Sequence, residues 1–144
     1  MQQRINIQKL QPEAYKALAS LEKYLSSTSL TVIHKNLIKI RASQINGCAY
    51  CINLHTREAQ KANETDQRIF LLDAWKEVTL YSEEEKALLA LTESVTRITG
   101  HVSDEVYGEA ARFFDEIYLA QIIMAIVAIN SWNRIAITTR LQPV

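Results

Sequence analysis

The sequence predicts an all-α protein, a single-domain helical bundle of about six or seven helices over residues 1–144. Glycine and proline number only three and two, where average composition would give about ten and seven. Apolar residues recur at the three- and four-residue spacing of helices, and no stretch alternates as a strand would. Turn-rich β-sandwiches and folds with glycine-rich phosphate loops are disfavoured, because they depend on residues that this chain lacks.

The first two predicted helices lie in the N-terminal third of the chain. Residues 13–25 carry apolar side chains at positions 14, 17, 18, 21 and 25, which form one face of a helix. A run of serine and threonine at 26–29 separates this helix from a second one over residues 30–44. The apolar face predicted for the second helix consists of Ile33, Leu37, Ile40 and Ile45. Asn46-Gly47 then gives a stop and turn signal directly before a cysteine.

Capping residues mark most of the remaining helices. A third helix is expected from Cys48 to about residue 63, and a short fourth, capped by Thr65 or Asp66, continues through residue 75. Ser82 and Glu85 have the S-x-x-E spacing of a capping box, which predicts a fifth helix that ends before residue 100. Residues 103–105 cap a sixth helix, and a seventh covers residues 116–140.

Charge and hydropathy exclude several functional classes. The 16 basic and 16 acidic residues cancel, and no basic cluster suggests contact with nucleic acid. The N-terminus has no apolar secretory segment, so we expect a cytoplasmic protein. Residues 117–133 are uncharged, but 17 residues that include four polar ones fall short of the roughly 20 apolar residues of a membrane span. We therefore expect a helix buried in the bundle or at a subunit interface, and no membrane segment.

The only two cysteines belong to the motif CAYCINLH at residues 48–55, which has the form C-x-x-C-x-x-x-H. At about 100° per residue, Cys51 and His55 lie about 300° and 340° from Cys48, so all three share a sector of about 60°. The spacing places the two Cα atoms about 5–6 Å apart, within reach of a disulfide. A helix N-terminus favours the thiolate, and His55 can accept a thiol proton or stabilise the thiolate as an imidazolium.

This arrangement favours redox chemistry, although two other interpretations stay open. A thiolate that attacks a peroxide becomes a sulfenic acid, which a second thiol converts to a disulfide. A structural zinc site would need a fourth ligand, for which His34 and His101 are the candidates. The cysteines could also be small core residues, with His55 a satisfied core histidine. We expect neither a bound metal nor a cofactor.

The segment LIKIRASQINGCAYC at residues 37–51, continued by HTREA at 55–59, resembles the carboxymuconolactone decarboxylase / alkylhydroperoxidase D-like family. It is most similar to the branch that carries the redox C-x-x-C-x-x-x-H motif. The likeness continues through DQRI at 66–69, AW at 74–75 and AINSWNRI at 128–135. It therefore covers most of the chain from about residue 13 onward.

The resemblance implies an alkylhydroperoxidase D-like fold, a homo-oligomer (trimer or hexamer) and thiol-dependent peroxidase activity. Such a reaction needs a hydroperoxide substrate and an external thiol, dithiol or protein reductant. In the family, the second cysteine of the motif attacks the peroxide and the first resolves. The resemblance thus implies attack by Cys51, resolution by Cys48 and proton relay by His55. Lactone decarboxylases of the same fold lack the cysteine pair, which argues against decarboxylation here.

Two positions depart from the pattern of the best-known peroxidases. A relay glutamate twelve residues before the first cysteine is replaced by Asn36, which cannot accept a proton. A relay histidine before the second cysteine is replaced by Tyr50, which lies about 200° from the first cysteine on an ideal helix and is expected to pack. Glu58 follows His55 by three residues, so it either orients the imidazole ring or is a solvated surface residue.

Asn130, Trp132 and Asn133 form a second candidate group, for which we favour packing over a place in the thiol pocket or a subunit contact. The leading hypothesis is a thiol peroxidase or related thiol–disulfide oxidoreductase. The alternatives are a cofactor-free decarboxylase or other lyase of the carboxymuconolactone type, and a non-catalytic helical oligomeric binding module. Activity that survives Cys51→Ser would favour the lyase. Activity that is absent from both the wild type and Cys51→Ser would favour the binding module.

Overall fold

The computed structural model describes residues 2–143, and over that range the chain is entirely helical, which confirms the predicted fold class. Eight α-helices and two short 3-10 helices, η1 and η2, occur within the described residues. Their bounds are α1 Ile7–Leu10, α2 Pro12–Ser26, α3 Val32–Asn46, α4 Ala49–Lys61, α5 Asp66–Phe70, η1 Leu72–Glu77, α6 Glu83–Thr96, η2 Ile98–Gly100, α7 Asp104–Phe113 and α8 Glu116–Thr139.

Two elements differ from the expectation. The short helix α1 was not predicted; the Asn6 side chain caps it by accepting from the backbone of Lys9. The predicted fourth helix divides into α5 and η1, with Ala74 in a non-helical conformation inside η1. The division lets Leu72 and Trp75 both enter the core, and the Trp75 indole donates to Glu93 Oε1 at 2.8 Å. Burial of these two side chains and the hydrogen bond to Glu93 stabilise the divided arrangement more than the additional backbone hydrogen bonds of one continuous helix would.

The core lies mainly between α3 and α8. Five residues in the middle of α8 are fully buried: Ile122, Ala125, Ile126, Ala128 and Ile129. Leu37 and Ile40 of α3 are buried as predicted, but Ile33 is half exposed. Ile33 is exposed because His34 takes the inward-facing position in the first turn of α3. The Nδ1 atom of His34 lies 2.7 Å from the hydroxyl of Tyr118.

By length and composition alone, α8 could cross a membrane. However, 44% of its apolar window is buried inside the domain, where it packs against α2, α3 and α6. Burial of that face agrees with the predicted core helix and not with a lipid-facing one.

An asparagine network ties the C-terminal end of α3 to α8. Asn133 is fully buried and donates to Ser43 Oγ at 3.0 Å. Asn46 donates to Asn133 at 2.8 Å and to Asn130 at 2.9 Å. These bonds fix the position at which the chain leaves α3 and enters the cysteine motif, so both asparagines of α8 act in packing, as favoured above.

Candidate active site

The turn before the cysteines is set by a glycine. Gly47 ends α3 with φ of 69°, a left-handed conformation that side chains other than glycine resist. Its N–H donates to Gln44 at 3.1 Å and that of Cys48 donates to Ser43 at 3.0 Å, which is the Schellman pattern of a helix end. The chain therefore reverses direction within two residues and delivers both sulfurs to the start of α4.

From the sequence, Cys48 is expected in the first turn of this helix. In the structure Cys48 is instead the N-cap of α4. Its sulfur accepts from the backbone N–H of Cys51 at 3.3 Å, and the two residues form a disulfide with Cα atoms 5.3 Å apart. Both sulfurs thus lie at the positive end of the helix dipole, where a thiolate released by reduction is stabilised.

His55 lies one turn after Cys51 and is held by a carboxylate. Its Nδ1 is 2.8 Å from Glu58 Oε2. The hydrogen bond from His55 lowers the pKa of Glu58, and the charges of Lys39 and Lys61 act in the same direction, while partial burial opposes them. A carboxylate can only accept, so Nδ1 carries the proton and the neutral imidazole keeps its basic lone pair on Nε2.

These groups border a cavity of about 290 Å³. Of the described residues that line it, Cys51 is the only cysteine. Both cysteines are buried, Cys51 at 3% and Cys48 at 1% exposure, so only Cys51 reaches the cavity wall. The lining comes from α2, α3, α4 and the C-terminal part of the chain, namely Tyr15, Glu22, Lys39, Tyr50, Cys51, Leu54, His55, Glu58, Trp132, Ile135, Ala136 and Leu141.

Tyr50 packs against the core, as expected, but it also lines this cavity and so does not point away from the thiol site. The angular count from Cys48 is wrong because Cys48 has extended backbone (ψ 93°) outside the helix. Asn36 is buried in α3, three residues before Lys39, and is not among the cavity residues. Asn36, which stands where the family has its relay glutamate, therefore contributes no side chain to the cavity.

Several cavity residues were not predicted from the sequence. Lys39 forms an ion pair with Glu22 at 2.8 Å across α2 and α3. Tyr15 lies on the inner side of α2, whereas Ala14 and Ala17, predicted for the apolar face, are exposed. Trp132 is only half buried, so its expected role as a core residue is wrong. The seven-residue separation of Tyr15 and Glu22 was the available signal that these two share a face.

Within residues 2–143, no group of three or more histidine, cysteine and acidic side chains is arranged to hold a metal ion. His34 lies at the opposite end of α3 from Cys48, about 18 Å along the helix axis. His101 is exposed in the loop after η2. Neither of these two histidines is therefore placed to be the fourth ligand of a zinc site built on the cysteine motif.

The fold and the site define a helical dithiol protein with a histidine beside one sulfur. A family model described as the carboxymuconolactone decarboxylase family matches residues 12–94, more than half of the chain, and the chain belongs to that family.

Several relatives extend the comparison over the whole chain. The uncharacterized protein YdfG of Bacillus subtilis (strain 168) is 45% identical over 138 residues, which cover 95% of this chain and 94% of the relative. The solved structure of ATU0492 from Agrobacterium tumefaciens is described as a protein of unknown function and a candidate antioxidant defence protein AhpD. It is 40% identical with a TM-score of 0.97, over 99% of both chains. An uncharacterized peroxidase-related protein from Silicibacter sp. TM1040 shares the fold, with a TM-score of 0.81, 20% identity and coverage of 96% and 72%.

Proposed function

We propose that the protein is a thiol-dependent peroxidase of the alkyl hydroperoxide reductase type, with an antioxidant role. Cys51 attacks the peroxide, Cys48 resolves and His55 moves the proton. The observation that carries this proposal is the placement of the buried pair: Cys51 borders the cavity together with His55, while Cys48, within disulfide reach of Cys51, does not line the cavity. A substrate in the cavity meets the attacking sulfur first, and the resolving sulfur stays protected.

The first step oxidises Cys51. In the reduced protein, Nε2 of His55 accepts the thiol proton, and the helix N-terminus stabilises the thiolate. The sulfur attacks the terminal peroxide oxygen, the O–O bond breaks, and the imidazolium protonates the departing alkoxide. The products are an alcohol and a sulfenic acid on Cys51.

The second step closes the disulfide. The sulfur of Cys48 attacks that of Cys51, the S–O bond breaks and the hydroxide leaves as water with the thiol proton. An external thiol, dithiol or protein reductant then supplies two electrons and two protons and restores both thiols. The cycle thus uses no metal, flavin or other bound cofactor.

Glu58 supports this cycle in place of the family glutamate that Asn36 replaces. Its carboxylate fixes the His55 ring and the tautomer with a free Nε2, and it stabilises the imidazolium that forms during thiol deprotonation. Glu58 is therefore a positioning residue. The hydroxyl of Tyr50, which borders the same cavity, is available as a further hydrogen-bond donor to the substrate.

The proposal includes assembly into a homo-oligomer, a trimer or hexamer, in the cytoplasm. Large apolar side chains on the outer side of α8 support assembly, since such surface favours protein contacts. Ile117 is 72% exposed, and Met124, Val127 and Ile137 are also exposed. Sedimentation equilibrium of the full chain measures the number of subunits directly.

Trapping the sulfenic acid tests the proposed roles of the cysteines. Cys48→Ser, treated with one equivalent of hydroperoxide and dimedone, should carry one dimedone adduct on Cys51. Cys51→Ser should consume no peroxide beyond the buffer rate. Equal peroxide consumption by Cys51→Ser and the wild type would reject the proposal, and a substrate-dependent activity that survives Cys51→Ser would favour a lyase.

A further inference from the structure

Two aromatic rings form one wall of the cavity described above. Tyr15 of α2 and Trp132 of α8 meet edge to face, with ring centroids 5.1 Å apart and an angle of 68° between planes. Both side chains are half buried and both line the cavity. Ile135 and Ala136, one turn after Trp132, continue the same wall on α8. Such a wall offers flat apolar surface and ring edges to a ligand.

Charged groups form the other part of the cavity. Glu22 pairs with Lys39 at 2.8 Å, and Glu58 bonds His55 at 2.8 Å. Two carboxylates and one ammonium leave a net negative charge when His55 is neutral. Glu22 lies seven residues after Tyr15, about 10 Å along α2. The cavity therefore changes from aromatic to polar over about 10 Å, and its polar part disfavours an anionic ligand.

The volume limits the size of the ligand. About 290 Å³ is at the lower end of the range of roughly 300–1,000 Å³ for small-molecule sites. At about 30 Å³ per water molecule, it holds about ten waters. A single ring with a short branch fits inside this space. A hydroperoxide built on a C18 chain has about twice as many non-hydrogen atoms as such a ring compound, so part of it would extend out of the cavity, which is open to solvent on one side.

We propose that this cavity selects neutral organic hydroperoxides that carry one ring, and that Trp132 and Tyr15 are the specificity-determining residues. The ring packs against Trp132 and Tyr15, and the O–O group points toward Cys51 and His55. Reduction follows the two steps given above, with the ring-bearing alcohol and water as products. This inference rests on the proposed peroxidase function and names its substrate class.

Single-turnover oxidation of the reduced protein tests the inference. Quenched samples are alkylated, and disulfide formation is followed by mass spectrometry with cumene hydroperoxide, hydrogen peroxide and linoleic acid hydroperoxide as probes. We expect the rate constant for cumene hydroperoxide to exceed those of both other probes by at least about tenfold. A faster reaction with linoleic acid hydroperoxide, or equal rates with hydrogen peroxide, would overturn the inference.

Variants assign the selectivity to the aromatic wall. Trp132→Leu should lower the cumene-to-hydrogen-peroxide ratio by about threefold to tenfold, the loss expected for one aromatic contact. Trp132→Phe, which keeps a ring, should restore most of that ratio even if it melts at a different temperature. Tyr107→Leu, on the exposed surface of α7, is the matched control and should leave both rates unchanged. An unchanged ratio in Trp132→Leu would refute the assignment.

The three probes distinguish a failure of the ring selectivity from a failure of the peroxidase function. If no probe yields a disulfide, the peroxidase function itself is wrong. If all three probes yield the disulfide at similar rates, the peroxidase function stands and the ring selectivity is wrong.

Discussion

The contact between Glu58 and His55 gives the sharpest prediction about the proton relay. Glu58→Gln keeps the size of the side chain and an oxygen that can accept from His55, but it removes the negative charge. Hydrogen bonds to charged groups contribute about 1.5–3 kcal/mol, against about 0.5–1.5 for neutral ones. Because the Glu58 side chain is 48% exposed, solvent screening reduces the difference to about 1 kcal/mol. That difference corresponds to about a fivefold slower oxidation of Cys51.

The assay is quenched-flow measurement of disulfide formation at pH 7 under single-turnover conditions. Glu77→Gln, at an exposed position of η1, is the matched control and should react like the wild type. The pKa of Glu58 lies below its ordinary value of 4.5 because of the bond from His55, so the carboxylate stays charged at and above that pH. Protonation of Glu58 should therefore remove the advantage of the wild type once the pH falls below about 4.5. Equal rates for Glu58→Gln and wild type at pH 7 would refute the positioning role.

Three further predictions concern the scaffold that holds the site. Gly47→Ala should lower the free energy of unfolding by about 1 kcal/mol, because the left-handed conformation penalises a Cβ atom. Urea unfolding measures this change, and a variant more stable than the wild type would contradict the prediction. Asn133→Ala should cost about 2–4 kcal/mol, because it removes the buried donor to Ser43 and one of the two hydrogen bonds of the Asn46 amide, which keeps only Asn130. A loss below about 0.5 kcal/mol would contradict it. Burial raises the pKa of Glu93 but hydrogen bonds from neighbouring donors outweigh it, so the net shift is downward. Its contribution to stability should be complete above pH 4.5 and be lost as the pH falls further, whereas Glu93→Gln should show a weaker acid dependence of its melting temperature.

The sequence was sufficient for the parts of the fold that depend on local patterns. Scarce glycine and proline, helical periodicity and the Ser82 capping box identified the class and most helices, and the capping box is present in the structure. Gly47 marked the turn before the cysteines because its conformation demands glycine. The shared face of Cys51 and His55 also followed from helix geometry, since the two residues are four apart within one helix.

The rest of the site depends on contacts between distant segments. Tyr15 and Trp132 are 117 residues apart and meet only because α2 packs on α8. The Glu22–Lys39 pair likewise joins two helices, and no pattern in either helix specifies the partner. The position of Tyr50 was missed because Cys48 caps α4 and the helical angle cannot be counted from it. Tertiary packing decided the first two cases, and the local conformation of the Cys48 cap decided the third.

The most direct test of the central claim is a thiol count on the wild-type protein. The reduced protein should have two titratable thiols, and one equivalent of an organic hydroperoxide should remove both. Mass spectrometry of the peptide that contains Cys48 and Cys51 should then show the loss of two hydrogens, which an external dithiol reverses. Two free thiols that persist after peroxide treatment, with no disulfide in that peptide, would contradict the assignment of a dithiol peroxidase cycle to this site.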